Sequence, residues 1–175
     1  MLIAYHTTEH RAQRLEFATF ATGFQQWFGD GFYFWQDEEF ALEWGRLKCR
    51  ARSNEDNLFE IYVAGLALDF TEEDVLDTVF NQVHYEFLVN TIEKFAEAFR
   101  INTQRKPSLI EFNAFIAGKQ IWRGIRAIRF QDLPSNNAYD YLKVRNFFYK
   151  KRIQIAIFDP EIILTFALLK TKTCE

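Results

Sequence analysis

Histidine at position 6, tyrosine at 33 and glutamine at 154 are the residues of this chain whose types and settings could do chemistry. Each lies in or beside a run of strand length: Leu2–Tyr5 leads into His6, Phe32–Trp35 contains Tyr33, and Ile153–Phe158 contains Gln154. A neutral imidazole offers one donor and one acceptor, a phenol a flat ring with a polar tip, and an amide both bonding types without charge. Brought to one hollow, they would hold and orient a polar ligand. Taken singly, each has a plainer reading: His6 as a satisfied structural histidine, Tyr33 as a core ring with a bonded hydroxyl, Gln154 as the cap of a sheet edge. His10 and His84 read as surface or helix residues.

The elements that must position these residues follow from pattern. The Gly29-Asp30-Gly31 stretch predicts a turn with positive φ at its glycines, followed by the aromatic strand Phe32–Trp35. The period then becomes helical, with Phe40, Trp44, Leu47 and Ala51 as the apolar stripe and Glu38 and Glu39 in the first turn, where the helix dipole favours anions. Before it, Thr7 and Thr8 offer caps to a polar helix-like segment from Glu9 to Arg14, and Phe17–Phe28 reads as a loop or short helix over a pocket. After it come a linker at 50–57, a strand over Leu58–Val63, and a helix starting at Thr71. A long helix spans Val79–Arg100, with Phe80, Val83, Phe87, Thr91, Phe95 and Phe99 as its stripe, and another runs from Pro107 to Gly118. Ile125–Phe130 alternates, 132–137 is turn chemistry, and Ile162–Leu169 suits a strand or a buried helix. Strands at both ends of a helical middle predict an α+β fold.

At 175 residues the chain is long enough for one domain with a full core, and its 20 phenylalanines make that core rich in large rings. The residues from Met1 to His6 lack a basic region followed by a long apolar one, and Ile162–Leu169 is too short to span a bilayer. No membrane association is expected. Cys49 and Cys174 show neither metal-ligand spacing nor a pairing pattern, which fits a reducing, cytoplasmic setting. A net charge of −3 gives no global attraction to nucleic acid.

In their order, the three motifs resemble the ADP-ribosyltransferase superfamily, in its diphtheria-toxin and poly(ADP-ribose) polymerase branch, whose signature is His, Tyr and Glu on three strands. Tyr5-His6-Thr7 stands where that branch has histidine, glycine and a small hydroxyl residue. Gly31-Phe32-Tyr33-Phe34 matches its Gly-x-Tyr-Phe strand, and Gln154-Ile155-Ala156-Ile157-Phe158-Asp159 matches the strand that opens with its glutamate. The chain is also similar to small bacterial and phage-associated proteins of that fold. Two departures stand out: Thr7 replaces the glycine, and Gln154 replaces the glutamate. In the family, loss of this glutamate accompanies transfer of single ADP-ribose units, or loss of activity.

The resemblance implies a single ADP-ribosyltransferase-like domain over residues 1–175, with a split β-sheet core and a helical middle insertion. It implies NAD as substrate, with His6 on a ribose hydroxyl, Thr7 offering its backbone to the nicotinamide amide, Tyr33 stacked on nicotinamide and Gln154 orienting ribose or acceptor. Arg11 and Arg14 would reach the pyrophosphate if a first helix borders the cleft. No metal is implied. The expected function is that of an NAD-consuming mono-ADP-ribosyltransferase, a toxin or phage-related effector. The alternatives are an NAD glycohydrolase and a catalytically silent module that binds a nucleotide or a partner. The acceptor, protein or nucleic acid, is open, and so is an antitoxin or other partner protein. Lys143, Arg145, Lys150, Lys151 and Arg152 flank Phe147, Phe148 and Tyr149, a composition that suits either nucleic-acid contact or a half-buried segment with a solvated edge.

Overall fold

The computed structural model describes residues 1–23, 26–52, 57–132 and 152–174. Its strands are β1 (Leu2–Glu9), β2 (Phe20–Ala21), β3 (Gly31–Trp35), β4 (Leu58–Leu66), β5 (Val75–Asp77), β6 (Ala127–Gln131), β7 (Ile153–Ile157) and β8 (Ile163–Thr173). They form one open sheet in the order β5-β6-β7-β3-β1-β4-β8, with β2 attached to β3. The β5–β6 pair is parallel and the other pairs are antiparallel. With helices α1 (Glu38–Arg52), α2 (Gln82–Thr103) and α3 (Leu109–Lys119), the chain is α+β, and α2 and α3 occupy the middle of the sequence.

Several elements differ from what local pattern predicts, because long-range pairing outweighs it. Thr7, Thr8 and Glu9 do not cap a helix; β1 runs on through them, in register with β4 from Leu2 opposite Leu66 to Glu9 opposite Phe59. Thr71 starts no helix either. Asp69 accepts from both its N–H and its hydroxyl, and the chain then enters β5, whose Val75 and Leu76 are buried beside β6. The apolar run after Ile162 is strand β8, committed to that form by its ladder with β4. Helix α2 begins where the Asn81 side chain accepts from the N–H groups of Val83 and His84. Helix α3 begins after Pro107, at a capping box between Ser108 and Glu111. Of the two turn glycines, only Gly29 has positive φ, at 82°.

The central strands of the sheet are buried on both faces, while edge strand β8 is largely exposed. One face carries Ala4, Phe32, Phe34, Ala64, Leu66, Ile155 and Ile157, closed by Ala18 and Ile162. Phe34, Ile155 and Ile157 are wholly buried there, each worth about 1.5–3 kcal/mol. The other face takes α1, through Trp35, Phe40, Ala41, Cys49, Phe59 and Ile61, and beside it the cluster of Phe28, Leu88, Ile128, Phe130 and Ala156. The contact face of α1 keeps Phe40 of the predicted stripe, with Trp44 packed beside it, and departs from the stripe at Leu47. Leu47 points outward, whereas Ala41, Gly45 and Cys49, small and four residues apart, lie against the sheet. The stripe predicted for α2 is also largely exposed at Phe80, Val83 and Phe87, and Leu88 is its buried residue.

The cysteines, expected to be unpaired, form a disulfide: Cys49 on α1 joins Cys174 just past β8, with Cα atoms 5.6 Å apart. The remaining feature that matters for function is a seam. β1 and β3 share one register pair, Tyr5 with Trp35, and beyond it the two strands part.

Candidate functional site

The seam opens into a cleft of about 470 Å³ whose walls include His6, Thr7, Tyr33 and Gln154. These four candidates, up to 148 positions apart in the chain (154 − 6), border one hollow because β7, β3 and β1 are successive neighbours in the sheet. The pleat sorts them further. Register pairs Tyr33 with Ala156, Trp35 with Gln154, and Tyr5 with Trp35, so Tyr5, Thr7, Tyr33, Trp35 and Gln154 project to the face that carries α1. His6 projects to the other face, where its ring lies 5.7 Å from Phe34 and 6.0 Å from Phe166.

His6 reaches the cleft through the seam itself. Its Nδ1 bonds the carbonyl of Tyr33 at 3.0 Å, and Thr19 N–H points at its Nε2 at 3.4 Å. A carbonyl can only accept and an N–H only donate, so the ring is the neutral Nδ1–H tautomer. Burial pushes the imidazole below its ordinary value of 6.5, the bond to Tyr33 opposes this, and the nearby Arg11 charge adds to it. The expected contact from His6 to a ribose hydroxyl therefore has to replace the Thr19 N–H, since both ring nitrogens already have partners.

Tyr33 forms the opposite wall. Its hydroxyl donates to Gly29 O at 2.8 Å and accepts from Phe28 N–H at 3.1 Å, which closes the turn that feeds its own strand. Burial lifts the phenol to about 12, against the Phe28 bond and with a small push from Asp30, so it stays protonated. The ring meets Phe130 edge-on at 6.5 Å. Gln154 does not cap an edge: β7 is interior, and Gln154 sits opposite Trp35 on β3 and Phe130 on β6, 8% exposed. Thr7 donates its hydroxyl to the carbonyl of Ala41 at 2.9 Å, pinning the start of α1 over the site.

Arg11 borders the cleft, from a non-helical segment after β1, whereas Arg14 is not among its walls. Of the Phe17–Phe28 stretch, Thr19, Ala21, Gln26 and Trp27 line it, and Phe20–Ala21 pairs with β3 rather than forming a helix. Among the wall residues that were not anticipated are Trp35, Lys48 and Asp132. Lys48 stands over the Trp44 ring at 4.4 Å. Asp132, 6% exposed, accepts from Trp27 Nε1 at 3.1 Å and Arg152 Nη2 at 2.8 Å, and Gln154 Nε2 lies 3.5 Å from it. Trp35 had a legible signal, sharing Tyr33's side of the strand at a spacing of two. Asp132 had none beyond its place after an alternating run. The basic and aromatic cluster before β7 lies outside the described residues except for Arg152. Among the described residues no cluster of His, Cys, Asp and Glu is arranged to hold a metal ion, and no helix is long and apolar enough to cross a membrane.

Comparison with protein-family models, with curated proteins and with solved structures finds no match.

Proposed function

We propose that this chain is an NAD-consuming mono-ADP-ribosyltransferase of the ADP-ribosyltransferase-like fold, acting as a toxin or effector. The observation that carries the reading is the convergence of His6, Thr7, Tyr33 and Gln154 on one cleft at the seam between β1 and β3. Its volume falls within the roughly 300–1,000 Å³ usual for small-ligand sites, and its walls set aromatic rings among a larger number of polar and charged groups, the carboxylates Glu9 and Asp132 included. Breaking the bond between nicotinamide and ribose builds positive charge on the sugar. In this reading Tyr33 stacks on the nicotinamide ring, the backbone of Thr7 meets its amide, His6 binds a ribose hydroxyl in place of Thr19 N–H, and Gln154 orients the ribose or the acceptor. Catalysis then rests on positioning and fixed dipoles, since Gln154 contributes no charge. Arg11 and Lys48 are the cations at the cleft for the pyrophosphate.

A second reading, a catalytically silent module that binds a nucleotide or a partner, is favoured by the engaged state of the groups: both His6 nitrogens and the Tyr33 hydroxyl already bond the protein. An NAD glycohydrolase, with water as acceptor, shares the same cleft. Incubation of the folded chain with NAD labelled in its adenylate half separates the three. Label on a protein or nucleic acid supports the transferase, free ADP-ribose alone the glycohydrolase, and binding without nicotinamide release the silent module. The Cys49–Cys174 disulfide weighs against the expected cytoplasmic location, because such bonds persist mainly in oxidising compartments. The redox state of that pair in cells, together with fractionation, tests the location.

A further inference from the structure

We infer that Asp132 is a positioning residue for Gln154, holding its amide with nitrogen inward and oxygen toward the cleft, and that this wall accommodates one carboxylate and not two. The inference rests on the proposed reading for its catalytic meaning, but not for its geometry.

β6 and β7 bring the groups together. Phe130 stands opposite Gln154, and the Asp132 N–H bonds the Arg152 carbonyl at 2.8 Å, so Asp132 lies diagonally across from Gln154 at the cleft end of the strand pair. The Asp132 carboxylate is itself fixed by donors on two sides, Trp27 Nε1 at 3.1 Å to Oδ1 and Arg152 Nη2 at 2.8 Å to Oδ2. Arg152 is held in turn over the Trp35 ring at 4.9 Å. A carboxylate only accepts, so the amide must turn its NH₂ to Asp132, 3.5 Å away, because the reverse orientation would set oxygen against oxygen. No described group donates to Gln154 Oε1, and Gln154 borders the cleft. The wall thus presents a fixed carbonyl dipole, an acceptor, where a sugar hydroxyl or developing cation would sit.

The same geometry accounts for the amide at a position where the resembling family carries glutamate. A carboxylate at 154 would face that of Asp132 across the same short gap, with the Arg152 guanidinium as the nearby countercharge, and two such groups cannot both ionise freely.

The test is a double-mutant cycle read by chemical denaturation between pH 4 and pH 8, which needs no NAD. Gln154→Glu is expected to lose stability relative to the parent as pH rises from the unfolded glutamate value of about 4.3 through the raised folded-state value, with the loss complete before neutrality. The new carboxyl's folded-state pKa would lie above its unfolded value, so its proton is worth most at low pH. A shift of one unit lowers the folding equilibrium constant about tenfold. Combining it with Asp132→Asn should recover most of that loss, since the charge is then relocated beside Arg152 rather than doubled. The relocated variant also serves if Asp132→Asn alone does not fold. A second readout is the side-chain NH₂ of Gln154 by NMR, identified by its absence in Gln154→Glu; Asp132→Asn should shift it and speed its exchange with water. Additive effects across the cycle, a flat pH profile for Gln154→Glu, or an unmoved amide resonance would each overturn the inference. Coupling in a protein that does not bind NAD would leave the pair as described and remove its catalytic role.

Discussion

Gly45→Ala tests how α1 is seated over the cleft, because two effects of opposite sign compete at that position. In an exposed helix interior, alanine is better than glycine by about 1 kcal/mol. Gly45, however, faces the sheet. A methyl built there overlaps the edge of the Phe59 ring and comes within 2.9 Å of Thr7 Cγ2. Neither neighbour can yield easily: Phe59 is 1% exposed, and Thr7 is tied to the Ala41 carbonyl. Overpacking of this kind costs about 1–3 kcal/mol, and overlap with a buried ring places it at the upper end, so a net loss of about 2 kcal/mol is expected. Urea denaturation of the parent, Gly45→Ala, Phe59→Leu and the double variant measures it. The double variant should be more stable than the sum of the singles by about 1 kcal/mol, because the smaller side chain removes the overlap. Since Gly45, Phe59 and Thr7 all border the cleft, the single variant should also weaken ligand binding. Were Gly45→Ala about 1 kcal/mol more stable than the parent, helix propensity alone would explain it and the close seating of α1 would be refuted.

Other expectations follow from the same structure. The buried pair of Asp77 and Arg129, packed on Phe70 at 3.6 Å, joins β5 to β6; Asp77→Ala should cost about 3–5 kcal/mol in denaturant, and a loss below 1 kcal/mol would contradict its burial. Burial pushes the Asp77 carboxyl up, but Arg129 and the N–H groups of Phe80 and Val79 outweigh it and leave it below the usual carboxylate value of 3.8. Its contribution is therefore complete above that value and disappears as pH falls further, which acid titration of the parent against Asp77→Asn would show. For His6 the imidazole lies below 6.5, so the unfolded chain takes up the proton first and stability should fall as pH drops beneath 6.5; His6→Gln should flatten that slope. Reducing the Cys49–Cys174 bond, which closes a loop of 125 residues, should lower stability by about 2–5 kcal/mol, and an unchanged melting temperature in reductant would count against it.

What was legible in the chain, and what was not, divides along physical lines. The strands around Tyr33 and Gln154 are dense in β-branched and aromatic residues and bounded by turn residues, so local preference and tertiary pairing agree there. Thr7 to Glu9 and Thr71 to Asp74 read as helix starts because capping chemistry is local, while the ladders that hold β1 to β4 and β5 to β6 come from residues dozens of positions away. The predicted face of α1 fails at Leu47 for a related reason. Hydropathy marks Leu47 as core, yet close approach selects the small residues Ala41, Gly45 and Cys49. Asp132 was invisible as a wall residue because only the β6–β7 register carries it to Gln154. The sequence order of His6, Tyr33 and Gln154 pointed to one shared cleft, but not to the pleat that turns His6 to the opposite face and returns its ring through a gap between strands.

Transferase, glycohydrolase and nucleotide-binding functions all require that gap to take a dinucleotide. Calorimetric titration of the folded chain with NAD, beside Tyr33→Ala shown by circular dichroism to be folded, asks this directly. The proposed function predicts saturable binding at one site per chain, weakened about 5- to 150-fold when the Tyr33 ring is removed, since a stacked ring contributes on the order of 1–3 kcal/mol. No heat of binding to the parent, or the same affinity without the ring, would contradict it.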